Sequence, residues 1–230
     1  MAFDEANSAR ASIDPAFIVL ARSWIDQPTS QFITLVWSAY DNMRAASPHV
    51  DGRDLERSIT QLLEPRIRDA MSGDEPFYIQ HSPFERETMK AAPAQPPAYD
   101  LAFVLRADER IMWPLEAKVL ETPKNVSKYI QDVQNEFLTC RYAPFSNSGA
   151  MLGYLLTGST EDAFREISKK LGCVLDALPE HPTKPNRRSH HSRSVPPEKS
   201  YPAEFGCYHL ILEYPDLRRS TTMDSLGGNC

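Results

Sequence analysis

YDLAFVLRADERIMWPLEAKVLE, Tyr99 to Glu121, is two apolar runs on either side of the polar turn ADE. Runs rich in Val, Phe and Trp with a short polar break between them predict a β-hairpin, with strands YDLAFVLR and RIMWPLEAKVL. Asp100 opens the first strand, and Glu116 and Lys118 stand near the end of the second. In an antiparallel hairpin those two ends lie side by side. Side chains two residues apart share a sheet face, so Glu116 and Lys118 point the same way. Asp100 can join them if the register allows. Pro114 lacks a ladder donor and puts the local pairing of the second strand in question.

The elements on either side extend this hairpin into a domain. Upstream, DGRDLERSITQLLEPRIRDAM carries Leu55, Ile59, Leu62, Leu63 and Ile67 at helical spacing. Pro65 predicts a kink or an early stop, and Glu56 lies beside the apolar stripe near the helix start. EPFYIQHSPFE predicts a strand from Pro76 to Ser82, followed by the Pro/Ala loop KAAPAQPPA. Downstream, NVSKYIQDVQNEFLTCRY is an amphipathic helix, GAMLGYLLTG a buried strand, and STEDAFREISKKLGCVLDAL another helix opened by Ser159 or Thr160. Residues 179–202 are rich in Pro, Ser, His and Arg and predict a mobile basic loop. AEFGCYHLILEYPDL is a last strand. Two helices, from DPAFIVLARSWID and SQFITLVWSAYDNMRAA, stand in front. This order predicts an α/β domain with a mixed central sheet. Residues 1–48 form an N-terminal helical extension, residues 49–215 the main domain, and residues 216–230 a flexible tail. Phe17, Leu20, Trp24, Phe32, Leu35 and Trp37 could serve an interface or the core.

Composition narrows the class. The 230 residues are 41% hydrophobic and 24% charged, ordinary for a soluble domain. The longest apolar stretch, FITLVWSAY, is too short to span a bilayer, and the N-terminus lacks the pattern of a secretion signal. Four cysteines without a C-x-x-C pair argue against a structural zinc site and a disulfide scaffold. A cytoplasmic protein with reduced thiols and no membrane association is the expectation. The net charge of −6 means that any nucleic-acid role rests on a local basic patch, a metal or a partner.

Burying two carboxylates together is costly unless a cation joins them. A divalent ion such as Mg²⁺ or Mn²⁺ suits hard oxygen ligands. Lys118 could serve an attacking water and stabilise charge that develops on a phosphate. The plain alternative is a strand-start cap at Asp100 and a same-face surface ion pair between Glu116 and Lys118, of little energetic worth.

The D-x15-E-x-K spacing across a hairpin, with a helix before and a helix and strand after, resembles the PD-(D/E)XK nuclease superfamily, the restriction-endonuclease-like fold. The resemblance covers Leu55 to Leu156 and implies an α-β-β-β-α-β core. It implies that Asp100 and Glu116 bind Mg²⁺ or Mn²⁺, that the Ala117 carbonyl also faces the metal, and that Lys118 serves the water. It further implies that Glu56, or as second choice Glu64, completes the site. The family's Pro-Asp is here Tyr99-Asp100, with Pro96 and Pro97 just upstream. The function implied is a metal-dependent nuclease that hydrolyses DNA, an effector subunit of a bacterial anti-phage defence or restriction system. It would act as a homo-oligomer or with a partner protein. A non-catalytic nucleic-acid-binding or assembly subunit is the rival reading. Lys124, Lys128 and Arg141 could meet phosphates. Gln131 and Gln134 could assist the site, and Lys184, Arg187, Arg188, His190, His191 and Arg193 could clamp nucleic acid from the loop.

Overall fold

A computed structural model describes residues 28–48, 50–85, 87–88 and 96–217. The helix expected from DPAFIVLARSWID, with Phe17, Leu20 and Trp24, lies outside them, as does most of the expected tail. Two helices, α1 (Thr29–Ala46) and α2 (Leu55–Asp69), lead into strands β1 (Phe77–His81), β2 (Leu101–Leu105) and β3 (Met112–Leu120). A short helix α3 (Ser127–Asp132) passes directly into a π-helical turn, Val133–Phe137. Then come β4 (Ser148–Leu155), α4 (Thr160–Leu171), β5 (Asp176–Ala177), β6 (Asn186–Ser192) and β7 (Glu204–Glu213).

The strands form one seven-stranded mixed sheet in the order β1-β2-β3-β4-β7-β6-β5. β1, β2 and β3 are an antiparallel meander. β4 pairs parallel to β3 and β7 parallel to β4, while β6 and β5 add an antiparallel edge. Pro114 is accommodated because it faces Ala102 in the hairpin and the parallel ladder to β4 starts one residue later, at Leu115.

Both faces of the sheet are covered. On one, Phe32 and Trp37 of α1 and Ile59 and Leu63 of α2 pack with Phe77, Phe103 and Trp113. The Phe32 and Phe103 rings stack at 4.3 Å, so α1 belongs to the core. On the other face, Tyr129, Ile130, Val133 and Phe137 pack with Phe164, Ile167 and Ile211. Strands covered on both sides read as continuous apolar runs, and every residue of β2 and β4 is buried. A carboxylate in such a strand is an exception that needs a partner.

Three local expectations change. α2 runs through Pro65 to Asp69 without stopping; the carbonyl that Pro65 leaves without a donor is that of the exposed Gln61, where water can reach it. The helix after β3 is not α-helical throughout, since its second half widens into the π-turn. Residues 179–202 are not an irregular loop, because 186–192 form β6 between β5 and β7. β6 shows no apolar alternation because its inward positions are polar and hydrogen-bonded. Ser189 is fully buried, with Oγ 2.8 Å from His209 Nε2 and 2.7 Å from His191 Nε2.

Candidate active site

The hairpin register sets the first two acids. Leu101 faces Leu115 across β2 and β3, so Asp100, one step further, falls opposite Glu116. Asp100 Oδ2 accepts the Ala117 N–H at 2.7 Å. Glu116 is 7% exposed, and its Oε1 accepts from Lys118 Nζ at 2.8 Å. The Ala117 carbonyl also accepts from Lys118 Nζ, at 2.7 Å. The two peptides that flank Ala117 are therefore each held, one by Asp100 on the Ala117 N–H and the next by Lys118 on the Ala117 oxygen.

The third acid arrives from α2. Asp54 caps that helix by accepting the Arg57 N–H at 3.3 Å, which starts it so that Glu56 lies in its first turn. Glu56 Oε2 accepts the Val119 N–H at 3.1 Å, and its Oε1 lies 3.5 Å from Lys118 Nζ. The structure thus brings Asp100, Glu116, Ala117, Lys118 and Glu56 together. Glu64 is not among them; it pairs with Arg68 one turn along the same helix.

A fourth acid was not singled out from the sequence. Asp132, at the junction of α3 with the π-turn, places Oδ2 3.0 Å from Lys118 Nζ. Gln131 and Gln134 are exposed. The usable signal was that residue 132 flanks the buried stripe of Tyr129 and Val133, whereas 131 and 134 lie away from it. The end of the π-turn is held by Arg193, whose buried guanidinium donates to the carbonyls of Phe137, Ala143, Ser146 and Tyr142 at 2.7–3.0 Å.

Electrostatics follow from this crowding. Burial pushes the Glu116 carboxyl well above its ordinary range, and the neighbouring Asp100 carboxylate adds to it, against the pull of Lys118. Burial also raises Asp100 and Glu56. Burial alone would lower Lys118, but the carboxylates of Glu116, Glu56 and Asp100 outweigh it and hold the ammonium protonated.

The residues present fit a divalent cation in donor chemistry. Carboxylates and a peptide carbonyl are hard oxygen ligands, and Glu116 Oε2 is buried without a hydrogen-bond partner. Among the described residues no three acidic, histidine or cysteine side chains already form a metal cage. The Lys118 ammonium stands among the acids instead.

The other basic candidates do not converge. Lys124, Lys128 and Arg141 are exposed, and Arg141 pairs with Glu136. Lys184 is bound to Asp41 at 2.7 Å and Arg187 to Glu161 at 3.0 Å. Arg188 lies over the Tyr208 ring, 5.1 Å from its centroid, and Arg193 is internal. His190 is exposed, whereas His191 bonds Ser189. No helix among the described residues is long and apolar enough to cross a membrane. Comparison with protein-family models, with curated proteins and with solved structures gives no match for this chain.

Proposed function

We propose that this chain is a divalent-metal-dependent nuclease with a restriction-endonuclease-like core spanning α2 to β4. The observation that carries the reading is the convergence of Glu116 and Glu56 on Lys118, with Asp100 beside them on the Ala117 N–H, at the open end of the hairpin. The order α2-β1-β2-β3-α3-β4 agrees with the core that the sequence resemblance implies. Mg²⁺ or Mn²⁺ would be held by Asp100, Glu116, the Ala117 carbonyl and Glu56, and when bound would act as a Lewis acid on a phosphoryl oxygen.

The chain's own groups do the rest. Asp100 fixes the Glu116–Ala117 peptide through the Ala117 N–H, and Lys118 holds the next peptide through the Ala117 carbonyl. Glu56 ties the start of α2 to β3 through the Val119 N–H. Lys118 remains an ammonium, able to hold a water by donating to its oxygen and to donate to the charge that grows on the phosphate. In the hydrolysis the water oxygen forms a new bond to phosphorus and the ester P–O bond breaks. The water's proton passes to solvent, and the leaving oxygen takes one up.

DNA is the proposed substrate, and the proposed setting is a defence or restriction system in which this chain works with a partner or a second copy. The spent basic cluster supports the need for help, because Lys184, Arg187 and Arg193 are all engaged within the chain. The same fact favours the second reading, an assembly subunit whose acids are structural.

Incubating the full chain with supercoiled plasmid, single-stranded DNA or RNA, with Mn²⁺, Mg²⁺ or EDTA, tests both. The nuclease reading expects metal-dependent cutting that falls about 10²–10³-fold in Lys118→Ala. Undiminished cutting by that variant would sink it. No cutting, together with Mn²⁺ affinity indifferent to Asp100→Asn and Glu116→Gln, would favour the assembly subunit.

A further inference from the structure

Lys118 Nζ is surrounded by oxygen. Glu116 Oε1 lies at 2.8 Å, the Ala117 carbonyl at 2.7 Å, Asp132 Oδ2 at 3.0 Å and Glu56 Oε1 at 3.5 Å. Three of these four are groups assigned above to the metal. An ammonium and a divalent cation cannot both sit within bonding distance of the same Glu116 oxygen and the same carbonyl, because two positive charges that close repel strongly in a poorly solvated site. The fourth oxygen is different. Asp132 is not on the hairpin or on α2, and its buried Oδ2 has no hydrogen bond, only the contact with Lys118. It sits at the α-to-π junction, and π-turns, rare in general, are frequent at functional sites.

We propose that Lys118 is the resident cation of the metal-free site and that Asp132 is its positioning residue. When a divalent ion takes the hairpin acids, Asp132 retains the ammonium beside them. The inference rests on the metal part of the proposed function and adds to it a competition within the site, with a named residue that resolves it.

Calorimetric titration with Mn²⁺ tests this without any turnover. The proteins are the full chain, Lys118→Met, Asp132→Asn and the double variant, with Lys118→Gln in place of Lys118→Met should the latter fail to fold. Removing the ammonium should tighten Mn²⁺ binding about tenfold or more, since a competing charge is gone. Asp132→Asn should weaken binding about tenfold in the presence of Lys118, which then has only the metal's own ligands to rest on. The same change should matter less than about threefold once Lys118 is absent, since Asp132 acts through the lysine. An equal loss in both backgrounds would make Asp132 a metal ligand and overturn its positioning role. Binding by the lysine variant no tighter than by the wild type, or absent from both, would overturn the competition. Plasmid cutting by the wild type, measured in parallel, separates the two ideas. Cutting without tightening defeats only this inference, and tightening without cutting defeats only the nuclease reading.

Discussion

Arg193→Met should cost about 2 kcal/mol of stability. Arg193 is 7% exposed, and its guanidinium donates to Phe137 O at 2.9 Å, Ala143 O at 3.0 Å, Ser146 O at 2.9 Å and Tyr142 O at 2.7 Å. Its charge also lies 4.8 Å from the Phe205 ring centroid. Methionine keeps much of the volume but donates nothing, so four carbonyls lose a partner. An unsatisfied buried group costs about 1–3 kcal/mol. Phe137 O keeps the Cys140 N–H and Ala143 O keeps the Ser146 N–H, so Tyr142 O and Ser146 O are the two left without a donor. The lower end applies, because relief of the guanidinium's own desolvation offsets part of the loss, and two groups at about 1 kcal/mol each give the total. In a domain of this size each kcal/mol moves Tm by about 2–4 °C, so a fall of roughly 4–8 °C is expected. Urea denaturation and a thermal melt of both proteins measure it. Arg193→Lys should recover little, since one ammonium cannot span four carbonyls. A loss under about 1 kcal/mol in Arg193→Met would refute the reasoning, since it would mean that the carbonyls find other partners at no cost.

Other outcomes follow from the same coordinates. Glu116→Gln should leave stability unchanged or raise it by about 1 kcal/mol or more, because it removes one of the carboxylates that crowd the Lys118 ammonium and whose ionisation burial opposes, and on the nuclease reading it should abolish cutting; a large destabilisation in urea would show that the acid serves the fold. His209 is fully buried and burial, with His191 nearby, lowers it to about 3 from its ordinary 6.5. It is therefore neutral in the fold and protonated in the unfolded chain below about pH 6.5, so stability should fall as pH drops from 6.5 toward 3, by at most about 5 kcal/mol. Denaturant midpoints at a series of pH values should show the wild type losing its advantage over His209→Gln along that limb, and a pH-independent difference would refute this. Gly153→Ala should destabilise by about 1–3 kcal/mol in a denaturant titration, because an added Cβ would meet Ile211 Cδ1 at 2.6 Å and Leu120 Cδ1 at 2.9 Å.

The hairpin was legible because a strand's period of two is rigid. Once Asp100, Glu116 and Lys118 are placed on paired strands, the register leaves little freedom. Glu56 was legible for a similar reason, since a capped helix ahead of the sheet presents its first turn to a strand end. Asp132 was not, because α and π geometry keep nearly the same apolar face over a few residues. What holds the π-turn is Arg193, 56 positions from Phe137, and no local pattern reports a contact at that separation. β6 was missed because hydrophobic alternation is the usual sign of a half-buried strand. There the buried positions, Asn186 on one face and Ser189 on the other, are polar, and their partners are visible only in three dimensions. Lys184, Arg187 and Arg193 read together as a basic loop, yet each has a different role in a paired edge of the sheet.

These misses belong to one chain of contacts. Arg193 leaves β6 and fixes the end of the π-turn at Phe137. The π-turn begins directly after Asp132, and Asp132 meets Lys118, which meets Glu116. The segment that looked like a solvated insert therefore braces the helix that presents the fourth acid. The cost of the site can be placed in the same terms. Asp100, Glu116, Glu56 and Asp132 face a single ammonium, and burial opposes ionisation of the first three. An apolar filling of the same strand ends would be at least as stable, and the fully buried β2 and β4 show that the chain supplies such filling wherever packing alone decides. Core formation does not account for acids at this one corner, whereas a demand for negative charge around a cation does.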